Sequence, residues 1–108
     1  MQITDMQITE TRIRLMEGDG KMRAIASVTF DGCFVVHDLK VIEGSKGTFV
    51  AMPSRKLGEG DFRDIAHPTQ QFMRDMIREA VFKAYDDAIR EQMQMSEEEA
   101  EKVAARFF

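Results

Sequence analysis

The sequence predicts an α+β domain in which an antiparallel sheet of about five short strands is followed by one long and one short C-terminal helix. Apolar and polar residues alternate through much of the first half of the chain, whereas the second half carries apolar residues at helical spacing. Strand and helix patterns do not alternate, which favours an antiparallel sheet. A chain of 108 residues supports one hydrophobic core. We therefore expect a single domain over residues 1–108, with a sheet region at 6–68 and a helical region at 69–108.

The first ten residues contain a tandem repeat, MQITD followed by MQITE. A five-residue repeat is too short to form a solenoid unit, so we interpret residues 1–5 as a flexible extension. From Thr9 to Leu15, apolar or small side chains alternate with Glu10, Arg12 and Arg14. This alternation predicts a strand with one buried face.

Two further alternating segments flank Asp31-Gly32, the residue pair that a two-residue type I′ hairpin turn prefers. Counting outwards from such a turn puts Cys33 and His37 on an almost wholly apolar face, which we expect to be buried against a helix. The reverse face is mixed and pairs Arg23 with Lys40. We interpret this mixed face as a contact surface.

A second hairpin is predicted after Gly47. Phe49–Met52 has the pattern of a short strand that ends at Pro53, because proline cannot donate a ladder hydrogen bond. Residues 54–61 contain two glycines and are expected to form a long loop at the hairpin tip. The returning strand is predicted over Phe62–Ala66.

The long helix is expected to follow Pro68, with Thr69 as its cap. Its apolar positions form one broad stripe: Phe72, Met73, Met76, Ile77, Ala80, Val81, Ala84 and Ala88. Ser96 and Glu99 match a capping box and predict the start of the short second helix. That helix carries Val103 and Phe107 on its apolar side.

Composition excludes several classes of protein. No apolar run approaches the roughly 20 residues that cross a bilayer, and we recognise no export signal, so a cytoplasmic protein without a membrane partner is expected. The single cysteine, Cys33, excludes an internal disulfide. The formal net charge is −4, so any binding of nucleic acid would depend on a local basic patch and on salt.

No constellation of side chains indicates an enzyme. His37 and Asp38 are strand neighbours, which point to opposite faces, and His67 lies at a strand end before a proline. The segment Gly58-Glu59-Gly60 lacks the lysine and hydroxyl residue of a phosphate-binding loop. We therefore expect no catalytic residues, no metal site, no cofactor and no small-molecule substrate.

A basic cluster remains, formed by Ser54, Arg55 and Lys56 on the predicted loop with Arg63 on the returning strand. Adjacent cations on a protruding tip can reach phosphates, and a hydroxyl can add a hydrogen bond. The alternative interpretation is that any solvated loop contains such residues. Arg23 and Lys40 would extend the patch along the mixed sheet face.

Four segments give the sequence a resemblance to a known family. They are GKMRAIAS at 20–27, FVVHDL at 34–39, FVAMPSR at 49–55 and FRDIAHP at 62–68. In this order and at this spacing they resemble the stage V sporulation protein G (septation regulator) family over roughly residues 6–85. The resemblance implies a small bacterial cytoplasmic protein that dimerises through its sheet and binds DNA, and in some members RNA. It also implies a regulatory role at sporulation or at the division septum.

Carried over position by position, the resemblance implies nucleic-acid contacts at Met52–Lys56 and at Phe62-Arg63, which coincide with the basic cluster. Three features depart from the family pattern: the N-terminal pentad, the loop at 57–60 and the second helix. We therefore expect a homodimeric nucleic-acid-binding regulator. The alternative is a protein–protein adaptor that docks through the mixed sheet face or the C-terminal helix and has no direct nucleic-acid role.

Overall fold

The computed structural model describes the backbone of residues 6–107 and the side chains of residues 6–94. Its elements are β1 (Ile8–Leu15), β2 (Met22–Phe30), β3 (Phe34–Gly44), β4 (Gly47–Ala51), β5 (Ser54–Leu57), β6 (Asp61–Asp64) and α1 (Gln71–Phe107). The first four strands form one antiparallel sheet in the order β1-β2-β3-β4, and β5 pairs with β6 in a separate two-stranded sheet. The predicted α+β class with an antiparallel sheet is confirmed. The described chain contains six strands and one helix, whereas we expected about five strands and two helices.

The core lies between α1 and one face of the four-stranded sheet, which we call the inner face. On β2, Ala24, Ala26, Val28 and Phe30 are buried and alternate with half-buried residues. These side chains pack with Leu39 and Val41 of β3, Met52, and Ile77 and Val81 of α1. The opposite side of the sheet, which we call the outer face, is not covered by the helix. The alternation of side chains along β2 thus separates a buried face from a more exposed one, as predicted.

The turn between β2 and β3 has the predicted conformation but a different register. Asp31 and Gly32 have φ angles of 52° and 63°, as a type I′ turn requires. The amide of Cys33 donates to the carbonyl of Phe30 at 3.0 Å. However, the ladder pairs Phe30 with Phe34. Cys33 therefore belongs to the turn and is exposed, and its predicted core position is wrong.

A β-bulge follows in the middle of β3. Val28 pairs with Val36 and Ala26 with Leu39, so Ser27 faces two residues, His37 and Asp38. A bulge of this kind shifts the alternation of side chains by one position. Leu39 consequently lies in the core with no exposed surface, whereas His37 is exposed. Our prediction of a core histidine was wrong because the turn holds three residues, 31–33, instead of two, so that Val36 and not His37 lies on the inner face.

The second predicted hairpin also differs in its strands. β4 pairs with β3 and not with the strand around Phe62. The presumed loop at 54–61 is instead strand β5 and a three-residue turn, which closes at Gly58 and Gly60 with φ angles of 61° and 84°. Glycine adopts these positive φ angles without the steric cost other residues carry. Arg55 and Lys56 therefore lie on a strand.

A single helix continues from Gln71 to Phe107 where two were expected. No glycine or proline occurs in residues 69–108, so no residue type that breaks helices interrupts it, and Ser96 lies within the helix. At the start, the amide of Arg74 donates to the carbonyl of Gln70 at 3.1 Å, so Gln70 and not Thr69 occupies the cap position. Within the described residues, no helix has both the length and the apolar character of a membrane span. The predicted extension at residues 1–5 lies outside the described residues.

Candidate nucleic-acid interface

The predicted basic residues lie on the β5–β6 hairpin, in defined register. Arg55 pairs directly with Arg63, and Lys56 pairs with Phe62. Because side chains alternate along a strand, the two arginines share one face of the hairpin, and Lys56 and Phe62 share the other. The structure therefore brings Arg55 and Arg63 together and directs Lys56 away from them.

The β5–β6 hairpin protrudes from the rest of the fold. All four residues of β6 are exposed, and 69% of the Phe62 surface is accessible. Neither strand makes an extensive contact with the four-stranded sheet or with α1. At its base, the amide of Ile65 donates to the carbonyl of Pro53 at 2.7 Å, which anchors the hairpin to buried Pro53. Its faces are therefore open to large ligands.

The arrangement of charges on the hairpin is expected to destabilise it when no ligand is bound. Like charges placed directly opposite each other across a strand pair are destabilising by roughly 0.2–1 kcal/mol. Among residues 6–94, the ion pairs within 4.0 Å do not involve Arg55, Lys56 or Arg63. The hairpin also carries three carboxylates, at Glu59, Asp61 and Asp64, so its basic character is local and depends on which face a ligand meets.

Ser54 has a different setting from the three cations. It is half-buried at the base of the hairpin, opposite Asp64. By strand alternation its side chain is on the same side as Lys56. Its hydroxyl can therefore contact a ligand only near the base of the hairpin, on the face that carries Lys56.

The predicted extension of the patch lies on the four-stranded sheet. Lys40 of β3 pairs with Ile25 and not with Arg23. Arg23 already has partners: its Nε lies 4.0 Å from Oε2 of Glu43, and its Nη1 donates to the carbonyl of Gly18 at 3.3 Å. Lys40 is thus the more available of the two cations.

The two histidines lie at separate places: His37 lines the groove on the outer face, and His67 lines an apolar cavity with Leu39 and Ile77. His37 and Asp38 lie on the exposed bulge. Nδ1 of His67 lies 3.2 Å from the carbonyl oxygen of Pro68, the local contact that its position before a proline suggested. In the part of the chain that the structure describes, no group of three or more His, Cys, Asp or Glu residues could hold a metal ion.

Reasoning from residue patterns alone overlooked Phe62, which entered only through the family resemblance. Its signal was present in the sequence: counting outwards from the Gly58–Gly60 turn places it opposite Lys56. Sequence reasoning also passed over Arg12 and Arg14, whose strand position puts them on the uncovered face of the sheet.

The fold and the hairpin together define a small α+β protein with a single long helix, whose candidate functional residues are exposed on strands. A family model described as SpoVG matches residues 6–87. The chain belongs to the SpoVG family, which confirms the resemblance drawn from its four sequence segments.

Several similar proteins carry the name "Putative septation protein SpoVG". The relative from Caldicellulosiruptor saccharolyticus is 60% identical over 84 residues, which cover 78% of this chain and 96% of the relative. The relative from Clostridioides difficile is 57% identical over 84 residues, or 78% and 91% of the two chains. The relative from Alkaliphilus oremlandii is 57% identical over 95 residues, or 88% and 97%. These names support a septation and sporulation family, and the family is not a known enzyme family.

Proposed function

We propose that this protein is a homodimeric regulator that binds DNA or RNA through the β5–β6 hairpin and acts in septation. The observation that carries the proposal is the Arg55–Arg63 pair: two exposed arginines lie directly opposite each other on neighbouring strands and have no carboxylate within 4.0 Å among the described residues. A phosphate bound between them would replace repulsion with charge-assisted hydrogen bonds. A phosphate can accept hydrogen bonds from both arginines at once.

The opposite face of the hairpin supports the same proposal. Phe62 is 69% exposed and stands beside Lys56, its cross-strand partner. An exposed aromatic ring next to a cation suits a nucleotide, since the ring stacks on a base while the cation contacts a phosphate. The resemblance implied further contacts at Met52 and Pro53. Both residues are buried and connect the hairpin to the core.

Dimerisation is supported by an open edge on β3. β4 pairs only with the second half of β3, from Lys40 to Gly44. Among the residues that the structure describes, the backbone of 34–38 consequently has no strand partner on that side. Phe34 and Val35 are 65% and 42% exposed. Such an edge invites pairing with another strand. Antiparallel pairing with the same segment of a second copy would form a two-fold interface and present two hairpins to one nucleic acid, which raises affinity.

The test is the double variant Arg55→Ala/Arg63→Ala, compared with Arg74→Ala/Arg78→Ala on α1, which removes the same charge elsewhere. Fluorescence anisotropy with DNA and RNA oligonucleotides, measured from 50 to 300 mM salt, reports affinity and its salt dependence. We expect the hairpin variant to bind more weakly and to lower the slope of log affinity against log salt by about 1.4–1.8, since each lost phosphate contact contributes about 0.7–0.9. The helix variant is expected to bind nearly as the unaltered protein does.

Equal affinity and equal salt slope for the two variants would refute the hairpin assignment. If the unaltered protein binds no oligonucleotide in this range, the adaptor interpretation replaces the nucleic-acid proposal. Circular dichroism of each variant verifies that the fold is retained before binding is compared.

A further inference from the structure

We propose that the outer face of the four-stranded sheet is a second nucleic-acid surface, which takes a single-stranded segment. Phe49 would stack on a base, while Arg12, Arg14 and Lys40 would contact phosphates. The inference rests on the proposed function, because it names a further surface and the strandedness of the ligand. It concerns elements separate from the β5–β6 hairpin, so the two can be tested independently.

The register of the sheet sets the cations in two rows across the outer face. In one row, Arg12 of β1 pairs with Ser27 of β2, and Ser27 faces the bulge of β3. In the next row, Arg14 pairs with Ile25, and Ile25 pairs with Lys40 of β3. Neighbouring strands are about 4.8 Å apart, so Arg14 and Lys40 flank the central strand at a backbone separation of about 10 Å. Arg12 is therefore next to the hydroxyl residue Ser27. Arg14 and Lys40 are on either side of the apolar residue Ile25.

The aromatic group lies at the adjacent edge of the same face. Phe49 of β4 pairs with Ile42, and its ring is 48% exposed. A Cβ at Gly44 would lie 3.0 Å from Cε1 of Phe49, so a side chain there would force the ring to shift by a few tenths of an ångström. The glycine therefore allows the ring to lie against the strand, with its other side toward solvent. An antiparallel sheet with a helix behind it and an aromatic ring in front is a known platform for stacked bases.

The charges of this face favour a polyanion only moderately. Arg12 donates from Nε to Oε1 of Glu10 at 2.9 Å, which leaves its terminal nitrogens outside that bond. Asp38 adds a second carboxylate beside the groove that Arg12 and Arg14 line. Within residues 6–94, Arg14 and Lys40 form no ion pair within 4.0 Å.

A weakly basic face with an exposed ring fits single strands better than duplexes. Duplex binding draws its affinity from many phosphate contacts, which this face cannot supply. A single strand, in contrast, offers unpaired bases to the ring, and stacking adds to a modest electrostatic attraction. Strandedness is therefore the property that this surface is expected to discriminate.

The first experiment compares Phe49→Ala with Phe72→Ala, because Phe72 of α1 is 50% exposed and provides a matched aromatic loss on another element. Anisotropy titrations use a fluorescein-labelled 12-nucleotide DNA, its RNA equivalent and the matching DNA duplex. We expect Phe49→Ala to weaken single-strand binding by about 5- to 100-fold, in line with the stacking contribution of one base. Phe49→Tyr, which keeps the ring, is expected to restore binding, and Phe72→Ala to leave it unchanged.

The second experiment tests the cations. Arg12→Ala/Arg14→Ala is expected to lower the salt slope for the single strand by about 1.4, at about 0.7 for each lost phosphate contact, with little effect on the duplex. Arg74→Ala/Arg78→Ala again controls for net charge. Cross-linking of the unaltered protein to a bromouridine-substituted 12-mer, mapped by mass spectrometry, is expected to label the β4 segment 47–51, and this result does not depend on any variant folding.

Three outcomes separate this inference from the proposed function. Single-strand affinity unchanged in Phe49→Ala and Arg12→Ala/Arg14→Ala, with cross-links confined to the β5–β6 hairpin, would overturn the outer-face surface and leave the hairpin assignment intact. Cross-links at β4 without any loss in Arg55→Ala/Arg63→Ala would support the outer face and overturn the hairpin. If the unaltered protein binds none of the three oligonucleotides, both proposals fail.

Discussion

Asp38 shows how one residue determines which side chains of β3 reach the core. It has a φ angle of 64°, a left-handed conformation that costs a non-glycine residue about 1–2 kcal/mol, although aspartate tolerates it better than most. The bulge that it forms with His37 allows Val36 and Leu39 to face the same side of the sheet. Without this local irregularity, strict alternation would direct Leu39 and Val41 to the outer face.

We predict that Asp38→Val lowers the free energy of unfolding by about 1–3 kcal/mol, because a β-branched residue resists the left-handed conformation. Asp38→Gly, which adopts it freely, is expected to leave stability within about 1 kcal/mol of the starting value. Urea denaturation followed by circular dichroism measures both. A Val variant as stable as the Gly variant would contradict the role given to this φ angle.

The strands differ in how completely their backbones are paired, and this difference indicates which edge would form the proposed dimer. β2 is paired on both sides along most of its length, whereas the first half of β3 is paired on one side only. Proteins commonly protect such edges with charged residues or with a covering element. The bulge and the charge of Asp38 protect one end of this edge, whereas Phe34 and Val35 at the other end are apolar and exposed.

We therefore predict that Val35→Lys, alone or with Phe34→Lys, shifts the protein from dimer to monomer at micromolar concentrations, because a charge at an open strand edge opposes pairing. Size-exclusion chromatography with light scattering reports the mass. Phe72→Lys on α1 is the control and is expected to remain dimeric. A Val35→Lys/Phe34→Lys protein that stays dimeric would exclude this edge as the interface.

The chain as a whole is longer than the part that the family match covers. α1 has 37 residues, or roughly 55 Å at 1.5 Å per residue, and the match to SpoVG ends at residue 87. The described contacts of α1 with the core come from Met73, Ile77, Val81, Phe82 and Tyr85. The helix thus continues for about six turns after the last of these described contacts.

Removal of residues 95–108 is expected to change the free energy of unfolding by less than about 1 kcal/mol, since the described core contacts of α1 come from residues 73–85. Helical circular dichroism would fall in proportion to the residues removed, and oligonucleotide affinity would stay the same. Urea denaturation and anisotropy measure these quantities. A monomeric or strongly destabilised product would instead assign the distal helix to an interface, as the adaptor hypothesis requires.

The class of the fold was predictable because it depends on local periodicity, which β2 and the first half of α1 display clearly. The register of β3 was not, since the bulge at His37-Asp38 looks like ordinary alternation until the partner strand is known. The candidate site stays a prediction. Arg55 and Lys56 were expected on a loop but lie on β5, because charged residues are poor indicators of a strand. Their opposite directions follow only from the pairing of β5 with β6.

The facing guanidinium groups of Arg55 and Arg63 have a consequence for how the free hairpin responds to its solvent. Dissolved ions weaken repulsion between the two side chains, and under the proposed function the same ions would compete with nucleic-acid phosphates for them. Raising the ionic strength would thus stabilise the unbound hairpin and lower its affinity for a nucleic acid. Ionic strength would therefore change the order of the unbound hairpin and its affinity for nucleic acid in opposite directions. The affinity would be highest at low salt, where the unbound hairpin is least ordered.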